Sequence, residues 1–155
     1  MDNEGIALAP PSAAIAHTAR EKILAMQEYV QRMPQTPVTP NNVLTGHQLI
    51  RTVVLPKGML AVGAIHKHPH VVAILRGRIA VYTEDAPDNA IEFVAPCVMV
   101  SPAGIKRVVF AHEETEWVNV HATPAETAAD AERELVCSSF DEYERFLLES
   151  PLWHS

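Results

Sequence analysis

Three histidines, His66, His68 and His70, occupy alternate positions within an apolar segment that runs from Gly58 to Gly77. In an extended strand alternate side chains point to the same face, so the three imidazoles can form one cluster. A polar cluster next to a core is costly unless it is paired or used, and neutral imidazole nitrogen is a good ligand for first-row metals. The pattern therefore predicts a site for a divalent first-row metal ion, with Zn, Fe, Mn and Ni as candidates.

A second group of candidate side chains lies further along the chain. In the segment 117–121, alternation places Trp117, Asn119 and His121 on one face and two valines on the other. These three side chains can line a pocket wall, or they can form the solvent face of the strand. Arg107 has a planar guanidinium that recognises carboxylate or phosphate. All four residues are therefore candidates for binding a small anionic ligand, with an outward-facing Arg107 as the alternative.

The remaining reactive side chains show no comparable pattern. His112 lies in a turn with three acidic residues and is expected to be solvated, and Tyr82 is expected in the core. The sequence contains no Gly-rich phosphate loop, no Ser nucleophile elbow and no cysteine with a nearby base. Covalent catalysis has no candidate, so catalytic residues are unknown and the sequence leaves open whether the protein is an enzyme.

Composition indicates a soluble globular protein of one domain. The 155 residues are 48% hydrophobic and 20% charged, with a formal charge of −7 that argues against a nucleic-acid groove. No run approaches the ~18 apolar residues of a membrane span, and the N-terminus lacks the features of a secretory signal. We therefore expect a cytoplasmic protein with no membrane partner. Cys97 and Cys137 are isolated, which predicts free thiols.

The elements that position the candidate residues begin with a helix. Apolar residues recur at helical spacing from Ser12, a candidate N-cap, to Met33, and Pro34 ends the pattern. We expect this helix to pack in the core of its own chain, with packing outside the main core or against a partner chain as the alternative. The proline-rich stretch 34–42 is a predicted linker.

Short β-prone segments follow one another after the linker, separated by turn residues, which is typical of a sandwich or small barrel. The predicted strands span 47–55, 59–66, 70–76, 78–83, 90–94, 97–101, 106–110 and 117–121. Two capping boxes, Thr123 to Glu126 and Ser139 to Glu142, predict two short C-terminal helices. We expect a helix and linker over residues 1–41, a barrel over 42–122 and helices packed on the same domain over 123–155.

The spacing within this all-β region resembles the motifs of the cupin family. The first cupin motif is Gly, five residues, His-x-His, three or four residues, Glu, six residues and Gly. It aligns from Gly58 to Gly77 without a gap, with its His positions at Ala64 and His66 and its Glu position at His70. The resemblance implies an all-β core that forms a cupin-like double-stranded β-helix, or jelly-roll barrel, with an N-terminal helix and two short C-terminal helices.

The second cupin motif matches at residues 102–104, Pro-Ala-Gly, but its His position falls on Arg107. Two customary ligand positions are therefore lost, at Ala64 and Arg107. His66 and His70 remain, and His68 can join them if the strand lies flat. Pro69 opposes a flat strand because it has no backbone N–H group. A bulge there would turn His68 aside, or would let His68 take the role that Ala64 leaves open.

A closer resemblance covers residues 43–136. The segments 65–70, 95–107 and 111–123 are together similar to small cupin-like proteins of tailed phages and prophages. That resemblance implies a phage or bacterial cytoplasmic setting without supplying a substrate. The leading hypothesis is a metal-binding cupin with a small anionic ligand. The second is a non-enzymatic module that sequesters an acid, sugar or nucleotide through Arg107. The third is a structural or assembly protein with an empty barrel and its first helix buried in a homo-oligomer such as a homodimer.

Overall fold

The computed structural model describes residues 17–150, which form three helices and eleven strands. The helices are α1 (Ala19–Arg32), α2 (Ala128–Leu135) and α3 (Phe140–Glu149). The strands are β1 (Asn41–Leu44), β2 (Gln48–Leu55), β3 (Leu60–Val62), β4 (Ile65–His66), β5 (His70–Arg76), β6 (Arg78–Tyr82), β7 (Ile91–Val94), β8 (Cys97–Ser101), β9 (Val108–Ala111), β10 (Thr115–Ala122) and β11 (Val136–Cys137).

Two antiparallel sheets enclose the main core. One sheet has the strand order β1-β2-β10-β5-β8, and the other has the order β3-β9-β6-β7. Alternation along β5 buries Val72 and Ile74 between the sheets and leaves Val71 and Leu75 exposed. Each such β-branched residue fits the pleated surface and contributes about 1.5–3 kcal/mol when fully buried. The double-sheet architecture confirms the all-β core that the sequence predicts.

The predicted turn at Gly77 joins the two sheets. Gly77 has a φ of +95°, and a Cβ atom at this position would collide with the carbonyl group of Glu114. Only glycine combines that conformation with that close approach at low cost. The turn lets β5 and β6 follow each other directly while lying in different sheets.

Helix α1 packs on the four-stranded sheet. It begins after Thr18, whose side chain accepts a hydrogen bond from the Glu21 amide at 3.1 Å, and it ends at Arg32. The predicted cap Ser12 lies outside the described residues. Ile23 is fully buried, and the helix contacts β3 and β9. Its apolar side therefore contributes to packing within the chain.

Of the two predicted capping boxes, only the second lies at the start of a C-terminal helix. Ser139 caps α3 by accepting a hydrogen bond from the Glu142 amide at 3.1 Å, which confirms the predicted cap. The Glu142 carboxylate accepts from the Ser138 amide at 2.9 Å, one residue before the cap. The first prediction was wrong by four residues, because Thr127 caps α2 through the Asp130 amide. Thr123 instead donates to the Glu134 carboxylate and accepts from the Ala125 amide.

Most predicted strands are confirmed to within two residues, but the predicted strand 59–66 is divided. It forms β3 and the two-residue β4, which pairs with β11, a strand that the sequence did not predict. β1 was also missed, because its first residues were assigned to the linker. Among residues 17–150 no helix is both long and apolar enough to span a membrane.

Candidate functional site

His66, His70 and His121 meet at one end of the space between the sheets. His66 ends β4, His70 begins β5, and His121 lies near the end of β10. One ring nitrogen of each histidine lies within 4.8 Å of the corresponding nitrogen of the others. The ring centroids are 4.1 Å apart for His70 and His121, 4.3 Å for His66 and His70, and 4.8 Å for His66 and His121. We call these three residues the histidine cluster.

Backbone hydrogen bonds from two other parts of the chain hold the segment that follows β4. The Gly104 amide donates to the His66 carbonyl at 2.9 Å, and the Lys67 amide donates to the Leu135 carbonyl at 2.8 Å. Pro69 directly precedes β5, where a missing N–H group costs no ladder bond. The backbone therefore leaves the extended path between His66 and His70, so the three alternate histidines do not share one strand.

Asn119 connects His70 to the core. Its Oδ1 atom accepts a hydrogen bond from Trp117 Nε1 at 3.1 Å and lies 3.1 Å from His70 Nε2. Because indole nitrogen is only a donor, the amide oxygen must face it, and His70 Nε2 must then carry a proton. The lone pair of neutral His70 consequently lies on Nδ1, which faces a second acceptor, the His68 carbonyl oxygen, at 3.3 Å.

The cluster is electrically neutral at physiological pH. Burial lowers the pKa of His66 to about 2 and that of His121 to about 3, and neighbouring histidines and Arg51 add to both effects. Burial also lowers the pKa of His70, with Arg107 acting in the same direction. His66 Nδ1 lies 3.0 Å from His121 Nε2. Two neutral rings at that distance form a hydrogen bond if one of these two nitrogens carries a proton. If neither carries a proton, both nitrogens offer lone pairs.

Arg107 is a half-buried cation close to this cluster. Its guanidinium donates a hydrogen bond to the Ser101 hydroxyl, and its charge lowers the pKa of His66 and His70. Burial lowers the pKa of the guanidinium itself. Within residues 17–150 no carboxylate lies within 4 Å of its nitrogens. The charge of Asp85 raises the pKa of the guanidinium, so a carboxylate acts on this half-buried cation without forming an ion pair with it.

A pocket of about 700 Å³ adjoins the cluster at His121. The barrel and the C-terminal helices form its walls together, so the helices complete the concavity. Its lining includes His47, Lys67, His68, Pro69, Ala103, Thr123, Glu134, Tyr143 and Phe146. The volume lies within the ~300–1,000 Å³ range of small-molecule sites. His68 lines this pocket with its ring edge against Phe146, at a centroid distance of 5.6 Å, and is not a member of the histidine cluster.

The other sequence candidates lie at different places. Trp117 is buried in the main core, and Asn119 joins it to His70. His112 is 2.9 Å from the Glu92 carboxylate at the surface of the four-stranded sheet. Arg51 was not singled out from the sequence although it influences two cluster residues. Arg51 alternates along β2 with the core residues Val53 and Leu55, so its side chain points inward. That alternation is the sequence pattern that could have identified it.

Comparison with known proteins yields structural likeness without sequence relatives. No protein-family model matches the chain, and no curated protein matches it. Ectoine synthase from P. lautus superposes with a TM-score of 0.51 at 12% identity, covering 73% of this chain and 88% of that chain.

Two further similar structures are described as cupins. An RmlC-like cupin with a double-stranded β-helix fold from Methanocaldococcus jannaschii gives a TM-score of 0.46 at 19% identity, covering 59% of this chain and 94% of that chain. A cupin superfamily protein from Desulfitobacterium hafniense gives a TM-score of 0.47 at 13% identity, covering 59% of this chain and 82% of that chain. At such identities the likeness concerns the fold alone. The two facing antiparallel sheets and the likeness to ectoine synthase give the chain an all-β, double-sheet core with accompanying helices.

Proposed function

We propose that this chain is a cupin-fold metal-binding protein in which His66, His70 and His121 hold a divalent first-row ion. The observation that carries the proposal is the convergence of three imidazoles from β4, β5 and β10 within 4.8 Å. Three neutral nitrogen ligands suit zinc, iron or nickel and leave coordination positions for a ligand or water. The sequence motif supplied His66 and His70, and His121 replaces His68 in the set that we propose.

The donor set fits such an ion in two respects. Two nitrogens bound to one tetrahedral zinc ion at about 2.1 Å are separated by about 3.4 Å, and at an octahedral angle of about 90° by about 3.0 Å. The nitrogens of His66 and His121 lie 3.0 Å apart. In addition, a metal-binding histidine usually donates its second ring N–H to a fixed acceptor, and Asn119 is that acceptor for His70. Asn119 would then hold the Nε2 proton of His70, and Nδ1 would reach the ion once the ring turns from the His68 carbonyl oxygen.

The residues around the cluster favour a small anionic ligand in the adjoining pocket. Arg107 brings an unpaired positive charge close to His66 and His70, and the Lys67 ammonium lines the pocket. A metal ion beside Arg107 is disfavoured by like charge unless an anion offsets both charges. In the pocket itself Lys67 suits a carboxylate or phosphate group, Tyr143 and Phe146 suit an apolar body, and Glu134 adds one negative charge. Arg107 does not line the pocket and would act on the ligand from the side of the histidine cluster. A bound ion would supply Lewis-acid polarisation of an oxygen on that ligand.

Arg107 also favours a second candidate function, in which the chain binds a small anion without metal. In that case the His66 and His121 rings keep their mutual hydrogen bond. Arg107 is then the principal binding group, and the chain acts as a sequestering module.

Calorimetric titration of chelator-treated protein with Zn²⁺ tests the metal proposal. We expect one site per chain in the wild type, and affinity at least ~10–100-fold lower in His66→Ala, His70→Ala and His121→Ala. His68→Ala is the matched control, because it removes the same side chain from the neighbouring pocket and should leave affinity within about threefold of the wild type. Equal losses for His68→Ala and His121→Ala would refute the ligand set.

Phosphate and acetate serve as probes of the second candidate. Metal-independent binding that survives His66→Ala but is lost in Arg107→Gln would favour the sequestering module. Anion binding that requires both Zn²⁺ and Arg107 would favour the metal-binding protein with an anionic ligand.

A further inference from the structure

The pocket beside the histidine cluster contains one charge of each sign. Apart from histidines, the ionisable residues of opposite sign in its lining are Lys67, which follows β4, and Glu134, near the end of α2. Within residues 17–150 neither side chain has an oppositely charged group within 4 Å, so the two do not neutralise each other. Two opposite charges that share a pocket without pairing can each bind a ligand group of the opposite sign.

A buried hydroxyl group holds the Glu134 carboxylate in place. Thr123 is 3% exposed, and its Oγ1 atom donates a hydrogen bond to Glu134 Oε2 at 3.0 Å and accepts one from the Ala125 amide at 3.1 Å. A carboxylate has about four acceptor positions, so the bond from Thr123 leaves capacity for the N–H groups of a ligand. The threonine that resembles a helix cap in the sequence therefore positions an acidic group at the pocket instead.

The C-terminal helices hold the Lys67 ammonium. Its Nζ atom donates a hydrogen bond to the Arg133 carbonyl at 3.0 Å and lies 5.3 Å from the centre of the Phe146 ring. An ammonium group has three N–H donors, so donors remain for a ligand. Hydrogen bonds from Ser138 lower the pKa of Glu142, and the Lys67 charge adds to that effect, but Glu142 does not line the pocket.

Aromatic rings form the apolar part of the pocket wall. The Phe146 ring contacts the edge of His68 at a centroid distance of 5.6 Å and stacks with Tyr143 at 6.2 Å. Tyr143 packs directly on Gly104, where an added Cβ atom would lie 2.5 Å from its ring. This wall is therefore fixed by α3 and by the loop before β9, and it offers an apolar surface to a ligand.

We propose that this pocket binds a zwitterionic ligand of the amino acid class, with its ammonium group at Glu134, its carboxylate at Lys67 and its apolar body against Phe146. The inference rests on the proposed function for the choice of this pocket as the ligand site, and it narrows the small anionic ligand to one that also carries a positive charge. A simple anion would meet like charge at Glu134, and a simple amine would meet like charge at Lys67. A zwitterion complements both side chains.

Calorimetric titration of the wild-type protein with two sets of matched compounds tests the inference without any substitution. Leucine, isocaproate and isoamylamine share one apolar body and carry both charges, only the carboxylate or only the ammonium group. The compounds ε-aminocaproate, caproate and pentylamine form a second set, in which the two charges of the zwitterion lie further apart. We expect at least one of the two zwitterions to bind about 10–100-fold more tightly than both of its single-charge analogues, because each charge-assisted contact adds affinity.

Two variants assign the two charges. Glu134→Gln retains an oxygen for the Thr123 hydroxyl and should reduce the affinity for the preferred zwitterion to that of its carboxylate analogue. Lys67→Met retains a side chain of similar length and should reduce that affinity to the affinity of the amine analogue. Glu28→Gln and Lys57→Met remove the same charges at exposed positions outside the pocket and should leave the affinity within about threefold of the wild type. Circular dichroism verifies that each variant is folded.

Titrations of the Zn²⁺-loaded and of the chelator-treated protein separate this inference from the metal proposal. Zn²⁺ binding to the histidine cluster without a preference for either zwitterion would overturn the inference and leave the metal site standing. A preference for a zwitterion in a chain that binds no Zn²⁺ would support the inference and overturn the metal site. A preference that persists in folded Glu134→Gln and Lys67→Met variants would also overturn the inference, because the two charges would then not be its cause.

Discussion

Acidification should destabilise the metal-free protein through the histidine cluster. Burial holds the pKa of His66 at about 2 and that of His121 at about 3, against an ordinary value of 6.5. Below pH 6.5 the unfolded chain therefore binds protons that the folded chain does not. Stability rises with pH wherever the unfolded state binds more protons. Above pH 6.5 both states are neutral and the buried histidines cost no proton-linked stability. Below pH 6.5 the free energy of unfolding falls progressively as the pH approaches the folded pKa values.

The size of this effect follows from the difference between the ordinary histidine pKa of 6.5 and the working pH, because both folded pKa values lie below pH 5. At pH 5 each histidine that stays neutral in the folded state costs about 1.36 kcal/mol for each of roughly 1.5 pH units, or about 2 kcal/mol. His66 and His121 together therefore cost at most about 4 kcal/mol, out of a typical total of about 5–15 kcal/mol. The lowered pKa of His70 acts in the same direction. Most carboxylates titrate below this window.

Urea unfolding in EDTA at pH 7, 6 and 5, at one protein concentration, measures the effect. The wild type should lose several kcal/mol between pH 7 and 5, whereas the double variant His66→Asn/His121→Gln should lose much less. His47→Asn is a control at an exposed histidine and should follow the wild type. If the wild type and the double variant show the same pH dependence, the reasoning about the buried neutral cluster is wrong.

Two further predictions concern single buried side chains. Asn119→Leu leaves the N–H groups of Trp117 and His70 without an acceptor, so urea unfolding should show a loss of about 2–6 kcal/mol and calorimetry ~10–100-fold weaker Zn²⁺ binding. Asn119→Asp retains the acceptor and should recover much of both, and equal losses in the two variants would contradict the role of the oxygen. Lys106 is 4% exposed, and burial lowers its pKa. Lys106→Met should therefore raise the unfolding free energy at pH 7 by about 1 kcal/mol or more, with exposed Lys57→Met as the control. The gain should shrink as the pH approaches 10.5, because the unfolded wild type retains its proton where the folded protein releases it. A destabilised Lys106→Met variant would contradict this account.

Local patterns were sufficient to predict most strands but not the composition of the histidine cluster. Alternation and turn residues act over a few positions, which is why β5 and β8 were predicted with their observed bounds. The same alternation placed Trp117, Asn119 and His121 on one face. Their proximity to His70 depends on the pairing of β10 with β5, a contact between residues 49 positions apart. No local rule supplies that information.

The two misjudged local features have specific physical causes. His66, His68 and His70 alternate in sequence, but hydrogen bonds from Gly104 and to Leu135 hold the intervening backbone away from a straight strand. Thr123 and Thr127 are each followed three residues later by an acidic residue, so both resemble a helix cap. Thr123 is engaged by Glu134, which is already part of the helix, and Thr127 is left to cap it.

Metal content of untagged protein, purified without added metal or chelator, tests the central proposal most directly. Elemental analysis should find close to one first-row ion per wild-type chain and per His68→Ala chain, and little in His66→Ala or His121→Ala. Less than about 0.2 metal ion per wild-type chain, with no thermal shift on adding zinc, manganese, nickel or iron, would contradict the proposal. Such a result would leave Arg107 and the adjoining pocket as the basis of binding.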